Sequence, residues 1–218
     1  MNGACTELVL LLDMSGSMYP LAEDTVGGLN ALLARQKKLP GEALVSVFLF
    51  NYGTELPIDR VPLKELKGLR AKDYVPGGST SLLDAIGKAI VHIATIHRYI
   101  RPEDVPAQTV FVILTDGAEN SSFQFTSADI REMIAEKREK CGWEFLYLGA
   151  NVNAAATAES LGIDPACAAD TRSDPDGTAL AFAAAGFAIE AVRQGKSAAG
   201  SEWKSPLCAS SCPDGIDS

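Results

Sequence analysis

The chain has 218 residues, 47% hydrophobic and 22% charged, which is enough for one α/β domain with a sizeable core and short for two. Its net charge of −9, with no cationic run longer than Arg35-Gln36-Lys37-Lys38, argues against nucleic acid or an anionic membrane surface as partner. No apolar run reaches a membrane span, the opening MNGACTE lacks the basic segment of a signal peptide, and the five cysteines include no C-x-x-C pair, so a cytoplasmic protein is expected.

Residues 8–17, LVLLLDMSGS, form an apolar run that stops at Asp13, Ser15 and Ser17. Such a run reads as a buried parallel strand entering a loop at its carboxyl end, where open α/β sheets bind ligands. Oxygens at i, i+2 and i+4 around Gly16 can point to one centre, and a hydroxyl and carboxylate set without His or Cys suits a hard divalent cation, Mg²⁺ or Mn²⁺. Short Ser/Asp loops also serve as turns and helix caps, so this stretch alone leaves both readings open.

A helix over 25–38 follows from Val26, Leu29, Leu32 and Leu33 at helical spacing, stopped by Pro40-Gly41. The buried strand ALVSVFLF at 43–50 then turns at Asn51-Tyr52-Gly53 into an antiparallel edge strand over 55–61, with Pro57 and Pro62 suiting an edge. Residues 63–74 are mixed and read as a helical turn and loop. PGGSTS at 76–81 leads through Ser81-x-x-Asp84, a capping-box pattern, into a helix striped by Leu82, Leu83, Ile86, Ala89, Ile90 and Ile93. His92 and His97 lack the i, i+4 register of a metal pair and read as ordinary histidines.

The run TVFVILTDG at 109–117 repeats the pattern of an apolar strand ending in an acid, here Asp116. Nearby Glu119 reads as a solvated loop acid, with a third carboxylate near an ion as the alternative. Thr126-x-x-Asp129 opens a helix through Cys141, WEFLYLG at 143–149 is the next strand, Asn153 caps a short helix, and a minor strand precedes Asp170. Asp174-Pro175-Asp176-Gly177 starts a final, largely apolar helix over 178–193, expected to be buried against the sheet. From Gly195 on, Ser, Gly, Pro, Cys and Asp dominate, so residues 195–218 read as a flexible tail. Cys208 and Cys212 lack the spacing of a zinc site.

The three stretches that carry Asp13, Ser15 and Ser17, then Thr80, then Asp116 resemble, in order and context, the von Willebrand factor A domain family and its metal-ion-dependent adhesion site, over residue 5 to about 190. The resemblance implies a doubly wound, mostly parallel six-stranded sheet of order 3-2-1-4-5-6 with one antiparallel edge strand and helices on both faces. The domain would occupy residues 5–194, similar to small stand-alone bacterial or phage-encoded members. It implies Ser15, Ser17 and Thr80 as direct ligands, with Asp13 and Asp116 acting through water or orienting the serines. Three neutral hydroxyls leave such an ion Lewis-acidic, so a partner protein's Asp or Glu carboxylate could complete it.

A metal-dependent phosphohydrolase or phosphotransferase using Asp13 as nucleophile is the rival reading. It lacks the second Asp two residues on, where Ser15 stands, and a Lys in any of the three stretches. A structural subunit with a vestigial site is the third. The expectation is therefore a non-enzymatic interaction module.

Overall fold

The computed structural model describes residues 2–200 and 202–208. Its sheet is built from β1 (Asn2–Asp13), β2 (Glu42–Phe50), β3 (Thr54–Pro62), β4 (Pro106–Thr115), β5 (Glu144–Ala150) and β6 (Ala168–Thr171). The strand order is β3-β2-β1-β4-β5-β6, parallel except for the hairpin pair β2 and β3. This is the expected order, and it sets the ends of β1 and β4 side by side at the topological switch point.

The helices are α1 (Ala22–Gln36), α2 (Leu82–Tyr99), α3 (Ser127–Cys141), α4 (Ala154–Ser160), α5 (Pro175–Arg193) and the short α6 (Ser205–Cys208). Strand side chains alternate between faces, and the parity shows which helices cover which. Leu12, Leu114 and Leu148 share a cavity with Thr25 of α1 and Phe182 of α5. On the opposite face Phe111 stacks on Trp143 and Phe145 at 5.2 and 4.9 Å, and Trp143 meets the His97 ring of α2 edge-on. Burial on both faces explains why the strands read as continuous apolar runs rather than alternating ones.

Helix starts follow local chemistry in three places. Thr126 and Asp129 form the expected capping box, Asn153 accepts from the Ala156 amide, and Asp174 accepts from the Gly177 amide. Ser81 does not cap α2, although its sequence pattern calls for it. Helix α1 begins three residues before the expected start, after a 3-10 turn over Gly16–Leu21, because Glu23 and Asp24 suit its first turn.

Residues 63–74, mixed in sequence, bury Leu63, Leu66, Leu69 and Tyr74. Beyond Gly195, where a flexible tail is expected, Ala198 and Trp203 are buried in the core cluster and Lys204 Nζ donates to the Pro165 carbonyl at 3.3 Å. Residues 209–218, including Cys212, lie outside the described residues. Cys5, Cys141 and Cys167 are free thiols, and no helix among the described residues is long and apolar enough to cross a membrane.

Candidate metal centre

Asp13 ends β1, and its carboxylate is almost fully enclosed, at 1% exposure. Oδ1 accepts the Ser15 amide at 2.8 Å and Oδ2 accepts the Thr115 hydroxyl at 2.5 Å. Its main-chain carbonyl accepts the buried Tyr74 hydroxyl. Burial pushes the Asp13 carboxyl above its ordinary range, opposed by the hydrogen bonds from Thr115 and Ser15. One amide and one hydroxyl donor thus fix the orientation of this carboxylate.

The loop after Asp13 turns back on itself. Ser15 Oγ lies 3.1 Å from Ser17 Oγ, and the Ser17 hydroxyl donates to Asp116 Oδ1 at 2.7 Å. Ser15 is buried and Ser17 exposed, so the cluster opens to solvent on the Ser17 side. The backbone holds the bend: Gly16 N–H donates to the Gly78 carbonyl at 3.0 Å and Gly77 N–H to the Met14 carbonyl at 2.9 Å. Gly78 has φ +80°, and a Cβ there would lie 2.5 Å from the Tyr52 ring, so the loop requires glycine on both counts.

Thr80, 3% exposed, enters from the segment before α2. Its hydroxyl faces the Asp116 side, because a Cβ built on Gly117 would stand 3.5 Å from Thr80 Oγ1. Asp116, 6% exposed, follows β4, and Asn151 donates to its carbonyl at 3.2 Å. The structure therefore gathers all five expected residues at the carboxyl ends of β1 and β4.

Among the described residues no three His, Cys, Asp or Glu side chains cluster as a metal site. A cation here would depend on hydroxyls backed by two carboxylates. That hard-oxygen donor set, with Ser15, Ser17 and Asp116 already within hydrogen-bond distance of one another, fits Mg²⁺ or Mn²⁺ and excludes the soft-ligand metals.

Glu119 is neither a solvated acid nor an additional ligand. Oε1 accepts the Ser121 and Ser122 amides at 2.8 and 2.7 Å, and Oε2 accepts the Leu83 amide at 2.9 Å and the Ser122 hydroxyl at 2.7 Å. All four lone-pair directions are spent on the protein. His92 sits 2.9 Å from Asp59, while His97 lies 3.2 Å from the fully buried Glu7, which Arg60 also engages at 3.0 Å. Tyr74 and the Glu7 cluster are absent from the sequence reading, and Asp84 enters it only through a capping-box pattern, since their partners lie 39 to 90 residues away.

No protein-family model matches the sequence, and no curated protein matches it. Among solved structures, the chain is similar to proximal thread matrix protein 1 of the mussel byssus, with a TM-score of 0.61 at 17% identity over 83% of this chain and 47% of that one. It is also similar to the manganese-loaded TRAP protein of Plasmodium vivax, with a TM-score of 0.53 at 18% identity over 82% and 72% of the two chains. A von Willebrand factor type A structure from Catenulispora acidiphila gives 0.51 at 18% over 81% and 41%. The chain spans less than half the length of the mussel and Catenulispora proteins. These likenesses establish the fold, that of von Willebrand factor A domains.

Proposed function

We propose that this chain is a metal-dependent protein interaction module. Ser15, Ser17 and Thr80 would hold a divalent cation, Mg²⁺ or Mn²⁺, with Asp13 and Asp116 supporting it through water or by orienting the serines. The observation that carries the reading is the convergence of these hydroxyls and carboxylates on one solvent-facing point at the strand ends. An ion held mostly by neutral hydroxyls supplies Lewis acidity toward an incoming oxygen, and a partner protein's Asp or Glu carboxylate is the ligand expected. A manganese-loaded protein of the same fold supports divalent-cation binding here.

The surroundings favour a protein partner. Tyr19, Tyr52, Val75 and Phe123 are 75, 70, 68 and 79% exposed, and they stand on the loops that border the site. Large apolar side chains held in water around an anchoring point are a property of protein interfaces. The phosphotransfer reading requires Asp13 to attack, yet Asp13 is buried with both oxygens hydrogen-bonded. We assign no enzymatic activity, place the module in residues 5–194, with Ala198 and Trp203 of the segment that follows packed into its core, and take a reducing cytoplasm as its compartment from its cysteine usage.

A thermal-unfolding titration with Mg²⁺ and Mn²⁺, with an EDTA control and Asp13→Ala in parallel, tests the site. The wild type should show a saturable rise in melting temperature that the variant lacks, because a ligand selective for the native state stabilises it by mass action. No rise with the wild type would leave a structural subunit with a vestigial site as the better reading. A Mn²⁺-dependent pull-down that Thr80→Ala abolishes, with the fold intact, would then tie the partner to the ion.

A further inference from the structure

We infer that Glu119, Asn120 and Asp84 are positioning residues, which join the Asp116 loop and the Thr80 segment into one block so that both are offered to a cation together. The inference rests on the metal-site reading above.

Helix α2 cannot cap itself, and its orphan amide donors are met from another segment. Ser81, at the N-cap position, makes no capping bond, and its hydroxyl lies 2.8 Å from Ser121 Oγ instead. The Leu83 amide donates to Glu119 Oε2 at 2.9 Å and the Asp84 amide to Ser122 Oγ at 3.1 Å. The helix repays the loop in kind. Asp84, 1% exposed, accepts the Phe123, Gln124 and Phe125 amides at 3.2, 2.9 and 3.0 Å. Each element therefore supplies the acceptors that the other lacks.

The joint reaches the site through Asn120. Its side-chain Oδ1 accepts the Thr80 amide at 2.9 Å and its main-chain N–H donates to the Thr80 carbonyl at 3.1 Å, a two-point grip on the backbone of one expected ligand. Four residues earlier on the same loop stands Asp116. At the far end of the loop the Phe125 ring packs where α2 has Gly87, since a Cβ there would fall 2.6 Å from it. The Thr80 segment and the Asp116 loop are thus joined to each other by this set of bonds, in addition to the bonds that tie each of them to the Ser15–Ser17 loop. Ligands held by neutral hydroxyls bind an ion weakly one by one, so their affinity depends on how far their geometry is fixed in advance.

The test uses Mn²⁺ alone as probe, with affinity read by water-proton relaxation. Asn120→Ala removes no charge and meets Thr80 rather than the ion. Glu119→Gln keeps one carbonyl oxygen but sets an NH₂ group against donors on its other side. Both should weaken Mn²⁺ by about ten- to a hundredfold, the usual cost of losing a partner behind a metal ligand. Hydrogen exchange at the Thr80 amide in metal-free protein should quicken in Asn120→Ala, and at the Leu83 amide in Glu119→Gln. Asp84, whose loss threatens folding, is left intact. Mn²⁺ affinity within twofold of wild type in Asn120→Ala overturns the inference while leaving the metal site standing. Loss in Glu119→Gln alone also overturns it, since that would assign a direct charge effect to Glu119. Failure of the wild type to bind Mn²⁺ overturns both readings.

Discussion

Cys167 and Cys5 sit at 4 and 8% exposure, and burial pushes both thiols up, Cys167 to about 11. Glu144 and Asp164 add to the rise at Cys167, and Glu7 and Glu42 at Cys5. An acid whose folded pKa is raised contributes stability below its unfolded value and loses it as pH climbs toward the folded one. Stability should therefore hold to about pH 9 and fall between pH 9 and 11, by about 2 to 3 kcal/mol from Cys167. The buried Tyr74 and Tyr147 hydroxyls, also pushed up, add to the slope above pH 10. Urea melts of wild type and Cys167→Ala across this range check it; an equal slope in the variant would remove Cys167 as the cause. At this scale the sequence is legible where a residue's role is local. Asp13, Ser15 and Ser17 announce themselves by spacing, whereas Glu119 and Tyr74 do not, because neither a carboxylate that accepts a distant amide nor a hydroxyl that donates to a distant carbonyl carries a local mark.

Elements show the same division. The strands ending in Asp13 and Asp116 are visible as apolar runs because both faces are covered. The S-x-x-D pattern before α2 misleads, since the same residue types cap a helix or reach a loop 40 residues away, and only the fold decides which. Helix α1 offers a sharper test of packing, through two adjacent glycines in different surroundings. A Cβ on Gly28 would lie 2.3 Å from the Phe182 ring of α5, while one on Gly27 would meet nothing within 4 Å. Gly28→Ala should cost about 1 to 3 kcal/mol by forcing α1 and α5 apart. Gly27→Ala should stabilise by about 0.5 to 1 kcal/mol through helix propensity alone. Paired urea denaturation curves separate them, and equal effects would mean that the two helices have room to shift.

For the whole molecule, the sheet's first strand is its centre, and it is held by charge as well as by packing. Glu7 on β1, fully buried, is met by Arg60 on β3 and His97 on α2, so three elements meet at one buried carboxylate. Arg60 adopts φ +49° at a break in the β2–β3 register to reach it, and its amide donates to Ser46 Oγ at 3.1 Å. Arg60→Ala leaves Glu7 with His97 alone and should cost about 3 to 5 kcal/mol. Thermal unfolding at neutral pH measures the loss, and a change under 1 kcal/mol would show that water reaches Glu7 in the folded protein. None of this cluster was readable beforehand, because a lone Glu among apolar residues gives no sign of partners 53 and 90 residues away.

The proposed cation site is sewn together from sequence-distant pieces. The bond from Ser17 to Asp116 spans 99 residues and that from Thr115 to Asp13 spans 102. Forming them requires the long loop between β1 and β4 to close first, an entropic cost met early and repaid late. A nascent chain thus makes its most recognisable motif near the beginning and cannot use it until β4 has emerged and docked. On the proposed reading a metal ion would bind only after the folding barrier is crossed, so it should slow unfolding and leave the rate of folding untouched.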